Sequence, residues 1–378
     1  MPDAWPGRTP GRAGPEEPGR AEGRAGPDGR VASRLMRSAF GQQFDMPDGY
    51  LNTASIGMPP VAVAEAVVEA VRYWRAGTGR AADFDEPVAV GRAAFARLVG
   101  VGADRVAIGG SASALVGLVA GGLPDGARVL VARDEFTSVT FPFAAQAARG
   151  VTVTEVDLAE LTSRAGEADL VAVSAVQSAD GAVADLAALR TEAARAGTRV
   201  VLDVTQAAGW LPLSLSWADA VVAAGYKWLL CPRGAAWMAV SERLGRELVP
   251  HGANWYAGQD RWDSIYGLPL RLAADARRLD TSPAWFCHVG AAAALPWLAS
   301  LDAEAVREHC VGLANQLRVG LGGRPADSAI AVVDRPEAAA RLADAGVTVA
   351  VRQGRARLAF YLYNTEADVH RALDALLR

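Results

Sequence analysis

Ala223-Ala224-Gly225-Tyr226-Lys227-Trp228 closes a short apolar run. Lys227 is the only lysine of the 378-residue chain, in which lysine and arginine together number 38. A sequence that writes its other cations as arginine has kept one ammonium group. The two cations differ in chemistry: an amine can lose its proton and attack a carbonyl, whereas a guanidinium stays protonated at any working pH. Composition bias alone would also leave a single lysine now and then. Asp203, 24 residues upstream, and Gln206, three residues after it, tilt the balance toward chemistry.

Outward from Lys227, short runs rich in Val, Leu and Ala predict strands over residues 128–132, 151–156, 170–174, 199–203, 218–223 and 235–240. Runs of this kind suit strands buried on both faces. Helical patterns such as 186–196 separate them, and the alternation predicts an α/β domain with a mostly parallel sheet. Upstream, 105–108 reads as a strand broken by Gly109-Gly110-Ser111-Ala112-Ser113, after which 114–121 is helical. An amphipathic helix is expected over 61–75, with Ala64, Val67, Val68 and Val71 on its buried face, and a second over 88–98. The pattern changes after about residue 290. A long helix is expected over 303–321, then strands over 329–333, 348–352 and 357–361, with a helix over 337–346 between the first two. The last helix, 366–377, starts at Thr365-Glu366-Ala367-Asp368, which resembles a capping box with Asp in place of Glu.

Composition narrows the function. The chain is 51% apolar and 21% charged with a formal charge of −4, which describes a soluble globular protein without the basic footprint of a nucleic-acid binder. Gly, Pro, Arg and Asp interrupt every apolar run before it reaches the length of a membrane span. Cys231, Cys287 and Cys310 are a sparse, odd set that suits a reducing cytoplasm. The four histidines lack metal-ligand spacing, so no metal site is expected. Residues 1–30 hold seven Gly, six Pro and five Arg with little to bury, and lack the apolar core of a signal peptide.

Asp203 falls at the carboxyl end of its predicted strand, where open α/β sheets bind ligands, and Lys227 follows the next strand at the same edge. An amine able to form a Schiff base, facing a carboxylate able to keep a pyridine nitrogen protonated, is what pyridoxal phosphate (PLP) chemistry requires. Gln206 is placed to donate to the ring's phenolate oxygen. The turn containing Gly110, Ser111 and Ala112 opens a helix directly after a strand, a ready phosphate seat. Neither GxGxxG nor GxxxxGK[ST] is present, which counts against nucleotide enzymes.

Together these motifs resemble the class V aminotransferase family of fold type I PLP enzymes, which includes the cysteine desulfurases. The resemblance runs from about Tyr50 to Arg378. It implies the aspartate aminotransferase-like fold, PLP as cofactor, an amino acid as substrate and a homodimer. The composition of the first residues reads as a disordered tail over 1–34. After it the expected organisation is an N-terminal segment over 35–60, a large PLP-binding domain over 61–290 and a small C-terminal domain over 291–378. Asp203 and Gln206 match the ring contacts and Lys227 the Schiff-base lysine, with Pro232 and Gly234 following as the family has them. Gly110-Ser111-Ala112 matches the phosphate turn, with Ala112 in place of threonine, and Phe136 takes the ring-stacking position usually held by histidine. Ser178 stands where asparagine is usual. Arg357, in Arg357-Leu358-Ala359-Phe360-Tyr361-Leu362-Tyr363-Asn364-Thr365, matches the arginine that grips the substrate carboxylate. Asn52, Ala54 and Ser55 fall in the segment that meets substrate. Thr281 or Ser282, in a stretch departing from the family's Gly-Thr, is expected near the partner subunit's cofactor.

The departures speak to the reaction. Desulfurases carry a persulfide cysteine on a mobile loop shortly before the carboxylate arginine, but Val351-Arg352-Gln353-Gly354-Arg355-Ala356 has neither cysteine nor loop. Cys231 is expected on a stiff turn, and Cys287 and Cys310 in the core. The expected activity is a Cα-carbanion reaction ending in β- or γ-elimination, a carbon–sulfur type lyase closest in its phosphate turn and serine substitutions to the hercynylcysteine sulfoxide lyase branch. Transamination or racemisation uses the same residues. A desulfurase is disfavoured, and so is a catalytically silent PLP-binding member. Whether Tyr226, Tyr361 or Tyr363 assists stays open.

Overall fold

A computed structural model describes residues 34–378. The tail expected over 1–34 lies outside that range except for Arg34, which opens the first strand. Strands β1 (Arg34–Ala39) and β2 (Gln42–Pro47) form an antiparallel hairpin that the sequence reading did not anticipate.

Seven strands build the main sheet: β3 (Val106–Gly109), β4 (Arg128–Ala132), β5 (Thr152–Val156), β6 (Leu170–Ser174), β7 (Arg199–Asp203), β8 (Ala220–Ala224) and β9 (Ala236–Val240). Their order is β3-β9-β8-β7-β6-β4-β5, and every pairing is parallel except those of β9, which runs against β3 and β8. The sheet is therefore mostly parallel, as expected. Central strands are buried on both faces, and side-chain alternation divides them between two cores. In β6, Val171 and Val173 join one core while Leu170 and Ala172 join the other. The edge strand β5 is instead largely polar and exposed, which blunts the sheet margin.

Register sets the working edge. Ser174 of β6 lies opposite Asp203 of β7, and Asp203 opposite Val222 of β8. The carboxyl ends of these strands, the end of β3 at Gly109 and the start of β9 at Ala236 thus share one margin.

A second sheet of three strands, β10 (Ile330–Val333), β11 (Ala350–Arg352) and β12 (Arg355–Ala359), packs with the helices Ala303–Gly320, Ala338–Asp344 and Glu366–Leu377 around its own core. The Asp368 carboxylate accepts the Thr365 N–H at 2.9 Å, the Asp half of the expected capping box. The helix Trp285–Leu298 runs unbroken across residue 290, because its small-residue run Ala291-Ala292-Ala293-Ala294 packs it against the helices Val61–Ala76 and Asp85–Val99. One expectation is overturned. In Val61–Ala76 only Val63 is buried, while Val68 and Val71 are exposed and Ala64 and Val67 face a cavity. One face of that helix packs on the helix Trp285–Leu298, with Val67 close to Gly290, while Val68 and Val71 lie on its outer side without cover among the described residues. Among the described residues no single helix is long and apolar enough to cross a membrane.

Candidate active site

Two adjoining chambers open at the carboxyl margin of the large sheet. The inner one, of about 230 Å³, is walled by the Gly110–Ser113 turn, Phe136, Ser178, Asp203, Gln206 and Lys227. The outer one, of about 720 Å³, is apolar, walled by Ile56, Pro59, Val63, Val67, Leu230 and Pro232, and shares Phe136, Ser178, Tyr226 and Lys227 with the first.

Asp203 ends β7 and is buried. Its Oδ1 accepts the Thr205 N–H at 2.7 Å, and Thr205 Oγ1 in turn accepts the Ala224 N–H at 3.1 Å, tying the two strand ends together. Burial pushes the Asp203 carboxyl up, opposed by its bonds to Thr205 and by Lys227. Lys227 is also buried, and desolvation draws its amine down to about 8 against the pull of Asp203. The two charges feel each other, yet among the described residues neither forms an ion pair. A gap separates them.

Phe136 lies beside that gap, with the Lys227 Nζ 5.1 Å from its ring centroid and 5.7 Å from that of Tyr226. Gln206 is more occupied than expected. Its Nε2 donates to Ala54 O at 3.0 Å and Ser178 Oγ at 3.1 Å, while its Oε1 accepts from Trp228 Nε1 at 2.7 Å. Ser111 caps the helix Ala112–Gly121 through the Ala114 N–H at 3.2 Å, which leaves backbone groups of the turn to face the chamber. Ala54 and Ser55 line the outer chamber, and Gly57 donates to Tyr226 O at 3.0 Å, seating this segment on the lysine.

Arg357 lines neither chamber directly and reaches both through serines. Its Nη1 donates to the carbonyl of Ser178 and, at 3.2 Å, to Ser178 Oγ; its Nη2 donates to Ser55 Oγ at 2.9 Å; its Nε is buried without a partner. Burial, with Arg352 nearby, lowers it to about 10. A buried guanidinium held only by neutral groups is a seat for an incoming carboxylate.

Other expected residues fall elsewhere. Asn52 bridges to Ala359 in the backbone and lines neither chamber, its Oδ1 buried and unpartnered. Ser282 is exposed and donates to Asn254 Oδ1 at 3.1 Å. Thr281 follows Asp280, which Arg92 grips with both terminal nitrogens and which anchors this stretch to β3 through the Ile108 N–H. Tyr361 donates to Gly209 O and Trp228 O, and Tyr363 meets Thr53 Oγ1 at 2.5 Å; both are buried structural groups. Of the three tyrosines, Tyr226 is the one at the chambers. Sequence reasoning gave no role to Glu135, whose buried carboxylate accepts from Ser174, Gln177 and the Phe136 N–H and so fixes the aromatic lid. Its place beside Phe136 was the signal. Among the described residues no group of His, Cys, Asp or Glu is arranged to hold a metal.

The residues fit PLP. The gap between a buried carboxylate and a buried amine would receive the pyridine ring, and the helix N-terminus beside it would receive the phosphate. Sheet order and chamber together define a fold type I PLP enzyme with the aspartate aminotransferase-like fold. The chain belongs to the class-V aminotransferase family, whose model matches residues 50–343. An uncharacterised aminotransferase, YcbU of Bacillus subtilis (strain 168), is 29% identical over 305 residues, covering 75% of this chain and 81% of the relative. The isopenicillin N epimerase of Streptomyces clavuligerus is 28% identical over 335 residues, covering 75% and 82%. Among solved structures, the Escherichia coli cysteine desulfurase CsdA superposes with a TM-score of 0.75 at 20% identity, covering 87% of this chain and 94% of its own. The cystine C–S lyase C-DES, in complex with cysteine persulfide, gives 0.77 at 21%, covering 87% and 97%. Those two likenesses concern the fold.

Proposed function

We propose that this protein is a PLP-dependent enzyme that moves the proton at the Cα of an amino acid, and that its reaction is elimination of a β or γ substituent, a carbon–sulfur type lyase activity. One observation carries the proton chemistry: a desolvated amine and a buried carboxylate without an ion-pair partner face each other across a chamber of ring size. When bound, PLP supplies an electrophilic carbonyl and a protonated ring that draws electrons from Cα.

Asp203 would keep the ring nitrogen protonated, Phe136 would cover a ring face, and the turn at Gly110, Ser111 and Ala112 would seat the phosphate. Arg357 would hold the substrate carboxylate, with Ser178 and Ser55 fixing the guanidinium. Phe136 has no proton to give or take, so Lys227 is the group that removes and returns it. With its amine drawn down to about 8, a useful fraction is neutral near pH 7.

The elimination reading rests on where the thiols are. Cys310 is buried in a helix, and Cys231 is buried with its Sγ donating to Leu229 O at 3.0 Å. Burial pushes both thiols up, away from the thiolate that sulfur transfer needs. Cys287 is half-buried, its Sγ donating to Arg233 O at 3.1 Å. Where a desulfurase has its mobile loop, β11 and β12 are joined by Gln353-Gly354 alone, with φ of 48° and 76°. That is the tight hairpin turn of two left-handed residues, and it does not swing.

Epimerisation or transamination is the second reading, favoured by the names of the two curated relatives. The test is product analysis with L-cystathionine, L-cystine and S-alkyl-L-cysteines. Ammonia, a 2-oxo acid and a released thiol are expected; a D-amino acid without ammonia would replace elimination by epimerisation. Reductant-dependent sulfide release from L-cysteine that is lost in Cys231→Ser would restore a desulfurase. The protein is further proposed to be a cytoplasmic homodimer, in which Ser282 of one copy approaches the cofactor of the other.

A further inference from the structure

The hairpin of β11 and β12 puts Arg352, Arg355 and Arg357 on one face, with Arg355 donating to Gln353 Oε1 at 2.9 Å. Arg352 lies opposite Arg355 and Ala350 opposite Arg357, so Arg352 and Arg357 are diagonal neighbours on the same side of the ribbon. The guanidinium groups of Arg352 and Arg357 turn to a single hydroxyl. Arg357 Nη2 donates to Ser55 Oγ at 2.9 Å and Arg352 Nη2 to the same atom at 3.4 Å. The other side-chain bond of Arg352 among the described residues is to its own neighbour's carbonyl, Val351 O, at 2.8 Å. Among the described residues neither Arg352 nor Arg357 forms an ion pair. Two like charges this close cost stability unless anions are brought to them.

Their depths differ. Arg357 is buried beside Ser178, the residue shared by both chambers, whereas Arg352 is exposed and lines only the outer one. The outer chamber is far larger than a short side chain needs, its wall is apolar, and Arg352 stands on that wall. Arg233 lines both chambers, its Cζ 4.9 Å from the Tyr226 ring centroid, so it stands at their shared end and leaves Arg352 as the arginine that lines the outer chamber alone.

We infer that the substrate is a dianionic amino acid: its α-carboxylate is held by Arg357, and an acidic group at the far end of the β or γ substituent, which crosses the outer chamber, is held by Arg352. This rests on the reading that PLP and an amino acid occupy the two chambers. Lengthening the side chain carries the second acid outward from Lys227 over the apolar wall, and Arg352 is the cation it meets. Arg352 is therefore a specificity-determining residue.

The test is a titration of the PLP-loaded protein, following the visible absorbance of the cofactor. The probes are L-2-aminoadipate and L-norleucine, which share a six-carbon chain and differ in the distal carboxylate. Wild type is expected to bind the aminoadipate about tenfold or more tightly than norleucine, the scale of one charge-assisted bond. Arg352→Gln should bring that ratio close to one by weakening the aminoadipate alone, and Arg352→Lys should restore part of it. Because Arg352 is exposed, these variants are expected to fold. Equal affinities in wild type, or equal weakening of both probes in Arg352→Gln, would overturn the proposal, the second by making Arg352 part of the α-carboxylate grip. Protein that shows no cofactor absorbance before any probe is added would instead remove the reading beneath it.

Discussion

Among single residues, the proposed chemistry turns on Lys227 and Asp203. Lys227→Arg keeps the positive charge but removes the amine proposed to bond the cofactor. It should abolish both the visible absorbance of the loaded protein and turnover. Borohydride should fix cofactor to Lys227 and nowhere else, since no second lysine exists. The amine's value of about 8 sets a pH signature. A lysine lowered by burial is neutral above that value, whereas an ordinary one stays charged to about 10.4. Capture of PLP by the protein should therefore rise with pH through about 8; a midpoint near 10 would mean that Lys227 is solvated in the working protein. Asp203→Asn should leave cofactor bound but slow exchange of the substrate Cα proton by orders of magnitude. Each lost 1.4 kcal/mol of transition-state stabilisation is about tenfold. Exchange at the wild-type rate would show that another group holds the ring nitrogen.

At the scale of elements, the site depends on how closely the segment before the helix Val61–Ala76 lies on the lysine loop. A Cβ added to Gly57 would sit 1.9 Å from the Lys227 carbonyl oxygen and 2.6 Å from Leu230 Cδ2. One of those neighbours is backbone, so the clash cannot be relieved by a rotamer change. Gly57→Ala is expected to destabilise the protein by about 2 kcal/mol or more and to disturb the cofactor absorbance, because the displaced atoms belong to Lys227 itself. Thermal melting with the visible spectrum recorded in parallel checks both; a variant with unchanged spectrum and midpoint would show that the segment does not seat the lysine.

At the scale of the whole molecule, the exposed apolar surface asks for a partner. Trp74 is 67% exposed at the end of the helix Val61–Ala76, with only Phe286 beside its ring at 5.6 Å among the described aromatics. Val68 and Ile56 are exposed on and before the same helix, and Leu268 is 88% exposed in a separate loop with Tyr266. Patches of this kind on a folded chain mark interfaces. A second copy is the occupant that the homodimer proposal requires, and the patch adjoins the mouth of the outer chamber at Ile56. Light scattering should give twice the chain mass, and Trp74→Glu combined with Leu268→Glu should shift it toward the monomer and weaken cofactor retention. A wild-type monomer that holds PLP firmly would contradict the dimer.

What the sequence determined by itself was whatever depends on local pattern. β4, β6 and β7 begin and end where their apolar runs do, and the helices 186–196 and 366–377 match their periodicity and caps. Asp203 and Lys227 could be assigned to one sheet edge because parallel strands carry their following loops to the same side. The hairpin β1–β2 escaped notice, since its six-residue strands mix a few apolar side chains with polar ones and pair only with each other in the described chain. The stripe at Val68 and Val71 was misplaced for a related reason: periodicity says that a face is apolar, not what covers it. Only the tertiary structure could show that Gln206 is engaged on both sides of its amide, that Ser178 and Ser55 carry Arg357 to the chambers, and that Arg352 shares a face with Arg357. Those facts depend on strand register and on contacts between residues up to 302 positions apart. No local pattern encodes such contacts, because they exist only once the chain has closed on itself.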